Sequence, residues 1–324
     1  MTATLRMKLT LCAAAAVVCA GGAGAQTHYP ARQITITVGL QAGTGSDVAV
    51  RNVAERMSAS LGQPIVIGNL PGAAGLLALQ AGVKAAPDGY TLVALSNAAV
   101  TTLPHLQKSS INALKDLAPI GVFVSFPSVI SVNRNVPANS IREFIELARK
   151  NPGKYTYASG GNGSVQHTAM EELKAMTGID LLHVPYKGMA QATTDLVGGQ
   201  VDCAIQGVVA VIPFAKNQVR VLAWTGSTRN SIYPDLPTLN EAGVTGYNYQ
   251  PWTGLFGPAA MPRAIVTRLN EEMRKALSAG GLREKWAPQG MEIVDATPQQ
   301  IEKMIRDEYE RMGKLIKQTG IRLE

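Results

Sequence analysis

Ile34, Ile36 and Val38 alternate with Thr35 and Thr37, the two-residue period of a half-buried strand, and then give way to the glycine-containing stretch Gly39–Gly45. Beyond Ser46 and Asp47, the apolar positions Val50, Val53, Ala54 and Met57 recur three and four apart, the period of a helix. The pattern predicts strand, tight loop and helix, with Ser46 or Asp47 as the helix cap. A helix entered this way aims unpaired backbone N–H groups and its positive dipole end at whatever lies above the loop. The stretch therefore reads as an anion site, with a carboxylate as the first candidate.

The same grammar continues. Pro64–Ile67 reads as a short strand, Asn69–Gly75 as a second glycine loop, Leu76–Lys84 as a small-residue helix and Tyr90–Leu95 as an apolar strand after the turn Pro87-Asp88-Gly89. Leu117–Val132 is long and apolar for one strand and carries Pro119 and Pro127, so it is read as a passage from one lobe to another. Strand, glycine loop and helix then recur. Ser140–Lys150 is a helix capped by Ser140, Tyr155–Ala158 a strand, Ser159–Ser164 a glycine loop and Val165–Thr177 a helix. Strands at Leu181–Pro185, Val201–Ile205 and Arg220–Trp224 surround a helix at Thr193–Val197. Tyr233–Pro262 reads as a Pro/Gly/aromatic connection, followed by helices at Arg263–Ala276, Leu282–Gln289 and Pro298–Thr319. In the last helix Glu302, Lys303, Arg306, Asp307, Glu308, Glu310, Arg311 and Lys314 read as a solvated, ion-paired face.

Strands alternating with helices at this pace make an α/β protein with two lobes. The expected division is a signal peptide over 1–25, a first lobe over 26–124, a second over 125–225, and a return to the first lobe with C-terminal helices over 226–324. Arg6 and Lys8, the apolar run Leu9–Ala20 and the small residues Ala23-Gly24-Ala25 have the order of a cleavable secretory signal. Leu11 and Val18 precede Cys12 and Cys19 where a lipoprotein signal needs a small residue, so a soluble periplasmic protein is expected. Cys203 is then the one cysteine outside the signal and reads as a buried strand residue. Without Arg6 and Lys8 the chain carries 28 Lys and Arg against 23 Asp and Glu, a net +5. The basic residues are scattered and aromatics are sparse, which favours small anions and excludes a nucleic-acid surface.

Candidate chemistry is removed step by step. Ser164 and His167 stand three apart, but Gly161-Asn162-Gly163-Ser164-Val165 is not the G-x-S-x-G of a nucleophile elbow, and Ser164 reads better as a helix cap. His28, His105, His167 and His183 show no metal-ligand spacing, and no metal or cofactor is expected. Gly43-Thr44-Gly45 lacks the third glycine of a dinucleotide loop, since Val48 stands there. What remains is a pair of glycine loops, each before a helix, able to hold an anion by backbone donors.

Many segments in order resemble the substrate-binding receptors of tripartite tricarboxylate transporters, the Bug receptors. They include LGQPIVIGNLPGAAG (61–75), KAAPDGYTL (84–92), NPGKYTYASGGNGSVQHTAMEELKAMTG (151–178), HVPYKG (183–188), DLVGGQVD (195–202), YPDLPTLNEAG (233–243) and WTGLFGPAAMP (252–262). The resemblance implies two Rossmann-like lobes joined by a hinge of crossing strands, a type II periplasmic-binding-protein-like fold. It implies a small organic carboxylate held in the cleft and handed to membrane transporter subunits, with no catalysis; a monomer is expected. A sensory co-receptor that signals to a membrane kinase, and an enzyme on the same scaffold, are the alternatives. Carried over by residue, the site is Leu40, Gln41, Ala42, Gly43, Thr44, Gly45, Ser46 and Asp47 in the first loop and Ser159, Gly160, Asn162, Gly163 and Ser164 in the second. His167 stands behind the second loop, and Tyr186, Lys187, Gly188 and Gln206 line the second lobe's side. The family's first loop normally carries an aromatic residue and prolines where this chain has Leu40-Gln41-Ala42. Tyr249 and Trp252 read as hinge packing or as cleft lining.

Overall fold

The structure is a computed structural model and describes residues 29–72, 75–107 and 111–322. The expected signal segment lies outside these residues. Two sheets form the frame. The first has the order β11-β4-β10-β3-β1-β2, from β1 (Ile34–Val38), β2 (Ile65–Asn69), β3 (Thr91–Ser96), β4 (Leu117–Ser125), β10 (Trp252–Pro258) and β11 (Glu292–Ile293). The second has the order β7-β6-β8-β5-β9, from β5 (Ser128–Asn133), β6 (Thr156–Ser159), β7 (Leu182–Pro185), β8 (Cys203–Gly207) and β9 (Val219–Trp224). The principal helices are α1 (Gly45–Leu61), α2 (Leu76–Lys84), α3 (Ile141–Lys150), α4 (Val165–Thr177), α5 (Met189–Gly198), α6 (Arg263–Ser278) and α7 (Pro298–Thr319). Among the described residues no helix is long and apolar enough to cross a membrane.

The alternation in β1 does what its period requires. Ile34, Ile36 and Val38 enter a core with Val50, Val53 and Met57 of α1, while Thr35 and Thr37 are half-buried. β1, β2 and β3 run parallel, as do β6, β7 and β8, so helices must return the chain over the sheet faces. The long apolar stretch divides at Phe126-Pro127. β4 belongs to the first sheet and β5 to the second, and all six residues of β5 are buried. Cys203 is fully buried on β8.

The chain crosses back at Gln250-Pro251, later than the expected boundary at residue 226. Residues 226–249 pack mainly on the second lobe: Leu239, Val244, Tyr247 and Tyr249 lie in its core, the Leu239 N–H donates to the Trp224 carbonyl at 2.8 Å, and Asn230 alone reaches Glu292 of the first sheet among the described hydrogen bonds of this span. The return is β10, which the expected 233–262 connection did not contain. It runs antiparallel between β3 and β4, with every residue buried. The two crossings touch where Ser125 pairs with Trp252 and the Phe126 N–H donates to the Pro251 carbonyl at 2.8 Å.

The last helix spans Pro298–Thr319 as its pattern predicts, capped by Thr297 in a full capping box with Gln300. Its face, however, is not solvated throughout. Glu308 is 9 % exposed and accepts hydrogen bonds from Asn97 Nδ2 (2.9 Å), Thr101 Oγ1 (3.1 Å) and Trp252 Nε1 (2.7 Å). Arg311 pairs with the buried Glu172 of α4. A charge-rich helix is outward-facing only where nothing polar waits beneath it, and here the partners come from residues far away in the chain.

Candidate functional site

The carboxyl ends of the parallel strands in both sheets point towards the crossing. In the first sheet, Ser96 at the end of β3 pairs with Thr253, next to the Trp252–Ser125 pair. In the second, Gly207 at the end of β8 pairs with Ser128, where β5 begins. The loops after β1 and β6 therefore open on the same side, the place where parallel α/β sheets carry ligands.

Both loops are built alike. Gly43 (φ +81°) and Gly163 (φ +72°) occupy the left-handed region, and each precedes a hydroxyl cap. Thr44 caps α1 through the Asp47 N–H, and Ser164 caps α4 through the His167 N–H. The third helical side chain then reaches back to the glycine: Asp47 Oδ2 accepts from the Gly43 N–H at 2.9 Å, and His167 Nδ1 from the Gly163 N–H at 3.0 Å. The expected cap, Ser46 or Asp47, is thus corrected to Thr44. Thr44 has the extended backbone of a cap, while Ser46 and Asp47 already lie inside the helix. With the third N–H capped, the first two of each helix, from Gly45 and Ser46 and from Val165 and Gln166, have no intrahelical acceptor, the arrangement that suits an anion.

Hydrogen bonds tie both helix starts to one short segment of the returning crossing. The hydroxyls of Ser46 and Thr253 share a hydrogen bond of 2.8 Å, and those of Thr168 and Tyr249 another of 2.8 Å. Tyr249 and Thr253 are four residues apart, at most roughly 14 Å along the chain. Phe126 of the other crossing lies under the first loop, where a Cβ on Gly45 would sit 3.0 Å from its Cε1.

Asp47 is a strut. It takes Arg51 Nε at 2.9 Å and Asn69 Nδ2 at 2.8 Å besides the Gly43 N–H, and Asn69 Nδ2 also donates to the Leu40 carbonyl at 3.0 Å. Burial by itself would raise its pKa, but the hydrogen bonds from Arg51, Asn69 and Gly43 and the Arg51 charge hold it at about 2. Its charge is thereby spent inside the protein. Leu40 packs against the first-lobe core, while Gln41, Ala42, Gly43, Thr44 and Gly45 are exposed along the loop.

In the second loop Ser159 is fully buried. Its hydroxyl lies 2.6 Å from His183 Nε2 and accepts from the Gly161 N–H at 3.1 Å. Gly160 and Asn162 are half-buried. Tyr186 donates to Asp195 at 2.8 Å, and burial together with that carboxylate pushes its pKa up to about 12. Lys187 is exposed and Gly188 precedes α5. Gln206 is buried with Oε1 against Thr193 Oγ1 at 2.7 Å, and its Nε2 has no partner. Tyr249 and Trp252 prove to be packing residues, each buried and bonded to the protein interior. A cavity of about 770 Å³ lies at the far end of β4, lined by Leu117, Phe256, Arg263 and Arg306. None of its lining residues belongs to either loop.

His167 stacks on His183 at 4.0 Å, with Tyr157, Glu171 and Lys174 around them. Burial first, and then the second imidazole, lower the His167 pKa from 6.5 to about 4, and burial also lowers that of His183. The neutral ring is what Nδ1 needs in order to accept from Gly163. An unfolded chain takes up this proton near pH 6.5, so the stabilisation is complete above that pH and is lost as pH falls towards about 4. His167→Asn keeps an acceptor near Nδ1 without titrating. A flatter fall of melting temperature from pH 6.5 to 4 is expected for this variant, and identical slopes would assign the titration elsewhere.

The family model described as "Tripartite tricarboxylate transporter family receptor" matches residues 49–321. The chain is 33 % identical to the protein BugT of Bordetella pertussis over 299 residues, covering 91 % of this chain and 92 % of that one. Its fold is similar to that of Rpa4515 of R. palustris, solved with adipate (31 % identity, TM-score 0.76, 91 % of this chain and 99 % of that one). It is also similar to MatC of Rhodopseudomonas palustris, solved with malate (29 % identity, TM-score 0.73, 89 % and 100 %).

Proposed function

The chain belongs to the tripartite tricarboxylate transporter receptor family, and on that premise we propose that it captures a small organic carboxylate between the starts of α1 and α4. It is a solute-binding receptor rather than an enzyme. The observation that carries the ligand class is the pair of like-built helix starts, each with two N–H groups that have no intrahelical acceptor, both tied to the Tyr249–Thr253 segment. A carboxylate there meets backbone donors and helix dipoles without needing a guanidinium. Arg51 is already engaged by Asp47, and Lys187 stands exposed. Adipate and malate, which accompany two of the similar structures, are both dicarboxylates and suit two opposed donor pairs. The receptor works in the periplasm after losing residues 1–25 and passes its ligand to the membrane subunits of a transporter.

The test is a calorimetric and thermal-shift panel of mono-, di- and tricarboxylates that includes adipate and malate. A ligand at a hundred times its Kd stabilises the native state by about 2.7 kcal/mol, which raises the melting temperature by several degrees. A panel in which no carboxylate moves the midpoint overturns the ligand class.

A further inference from the structure

Helix α7 belongs to neither lobe alone. Its first half is fixed to the first lobe, where Ile301 and Ile305 share a core with Val100, Leu117 and Phe256, and where Glu308 is held by Asn97, Thr101 and Trp252. His105 of that lobe fills the space beside Gly313, where a Cβ would lie 2.7 Å from its Cε1, and its Nε2 meets the Tyr309 carbonyl at 2.8 Å. On another flank, Met312 and Leu315 enter the core of the second lobe. Between these anchor points, Arg311 Nη1 reaches both carboxylate oxygens of Glu172.

Glu172 lies two turns along α4 from its cap Ser164, beyond Thr168, which holds Tyr249 at the hinge. Among the described residues, Arg311–Glu172 is the one ion pair that joins α7 to the second lobe. A groove of about 350 Å³, lined by Ala175, Met176, Lys314 and Gln318, opens beside it, so the two helices are not packed along their whole seam. Apolar contacts at such a seam tolerate sliding, whereas a carboxylate that is 7 % exposed accepts its cation at one position only.

We propose that Arg311 and Glu172 are positioning residues: their pair fixes the orientation of α4, and with it the second binding loop, relative to the first lobe. The pair acts through the α4 backbone and touches no ligand. It concerns lobe geometry and holds whichever solute occupies the cleft.

The test is ligand-free. Nitroxide labels at Glu55→Cys on α1 and Glu146→Cys on α3, both exposed positions, report the distance between lobes by pulsed electron resonance, and buried Cys203 stays unlabelled. The parent, Arg311→Lys and the double variant Arg311→Met/Glu172→Met are compared. Replacing a buried ion pair by apolar residues of similar volume is often neutral for stability, so the double variant should melt within a few degrees of the parent while its distance distribution shifts or broadens. Arg311→Lys keeps the charge without the planar fork and should broaden it less. Where a carboxylate binds the parent, affinity should fall at least tenfold in the double variant at unchanged melting temperature. A distance distribution equal to the parent's in both variants overturns the proposal. Failure of the parent to bind any carboxylate overturns the ligand class alone.

Discussion

Val165→Pro is expected to weaken ligand binding about 10- to 100-fold while leaving the fold in place. Val165 is the first residue of α4, and proline is favoured there because that N–H has no intrahelical acceptor. Ser164 before it has φ −64° and ψ 160°, the extended backbone that a following proline requires. The half-buried valine side chain is replaced by a ring of similar apolar character, so the change removes one donor and little else. A hydrogen bond to a charged group is worth about 1.5–3 kcal/mol, which sets the range of the loss. Val165→Ala, which keeps the N–H, is the control. Calorimetry in which the proline and alanine variants bind equally tightly would show that α4 does not donate to the ligand. The matching change at Gly45 is less clean, because its side chain would press on Phe126.

Glu308→Leu should cost about 2–6 kcal/mol, from two stranded donors at about 1–3 kcal/mol each, a large share of the 5–15 kcal/mol that holds a protein folded. The carboxylate is the common acceptor of Asn97, Thr101 and Trp252, and an apolar replacement strands the buried Trp252 and Asn97 donors. Glu308→Gln turns an amide donor towards one of the same donors and should lose less. Denaturant unfolding measures both. A leucine variant within 1 kcal/mol of the parent would mean that the three donors find other acceptors. By contrast, Glu302→Gln on the exposed side of the same helix should change stability by no more than about 0.5 kcal/mol.

Glu308 also shows where one-dimensional reading stops. Its neighbours Asp307 and Glu310 are exposed, and although its spacing from Ile301, Ile305 and Met312 puts it on the apolar stripe, the sequence names no partner for a carboxylate there. What lets it stay buried are Asn97 and Trp252, 211 and 56 residues away. The same holds for β10. Trp252–Pro258 is a continuous apolar run among prolines and glycines, and a run buried on both faces has no period by which to recognise it. The caps were more accessible. Gly-Thr-x-x-Asp at 43–47 and Gly-Ser-x-x-His at 163–167 share one spacing, and only the second yielded its cap from the sequence. In the first, the adjacent Ser46 and Asp47 offered equally good cap chemistry.

The sequence by itself determined the α/β alternation, the exact spans of α2, α4 and α7, a passage somewhere within Leu117–Val132 and the two glycine loops, because hydrophobic period, cap chemistry and turn residues are local. Its ordered motifs also sufficed to indicate the family. Only the tertiary structure decided that Thr44 caps α1, that Asp47 and His167 are internal struts rather than free groups, and which distant groups Glu308 and Arg311 pair with. Each of those outcomes depends on which polar groups share a buried space, and a buried donor or acceptor takes the partner that folding brings to it, however distant in the chain.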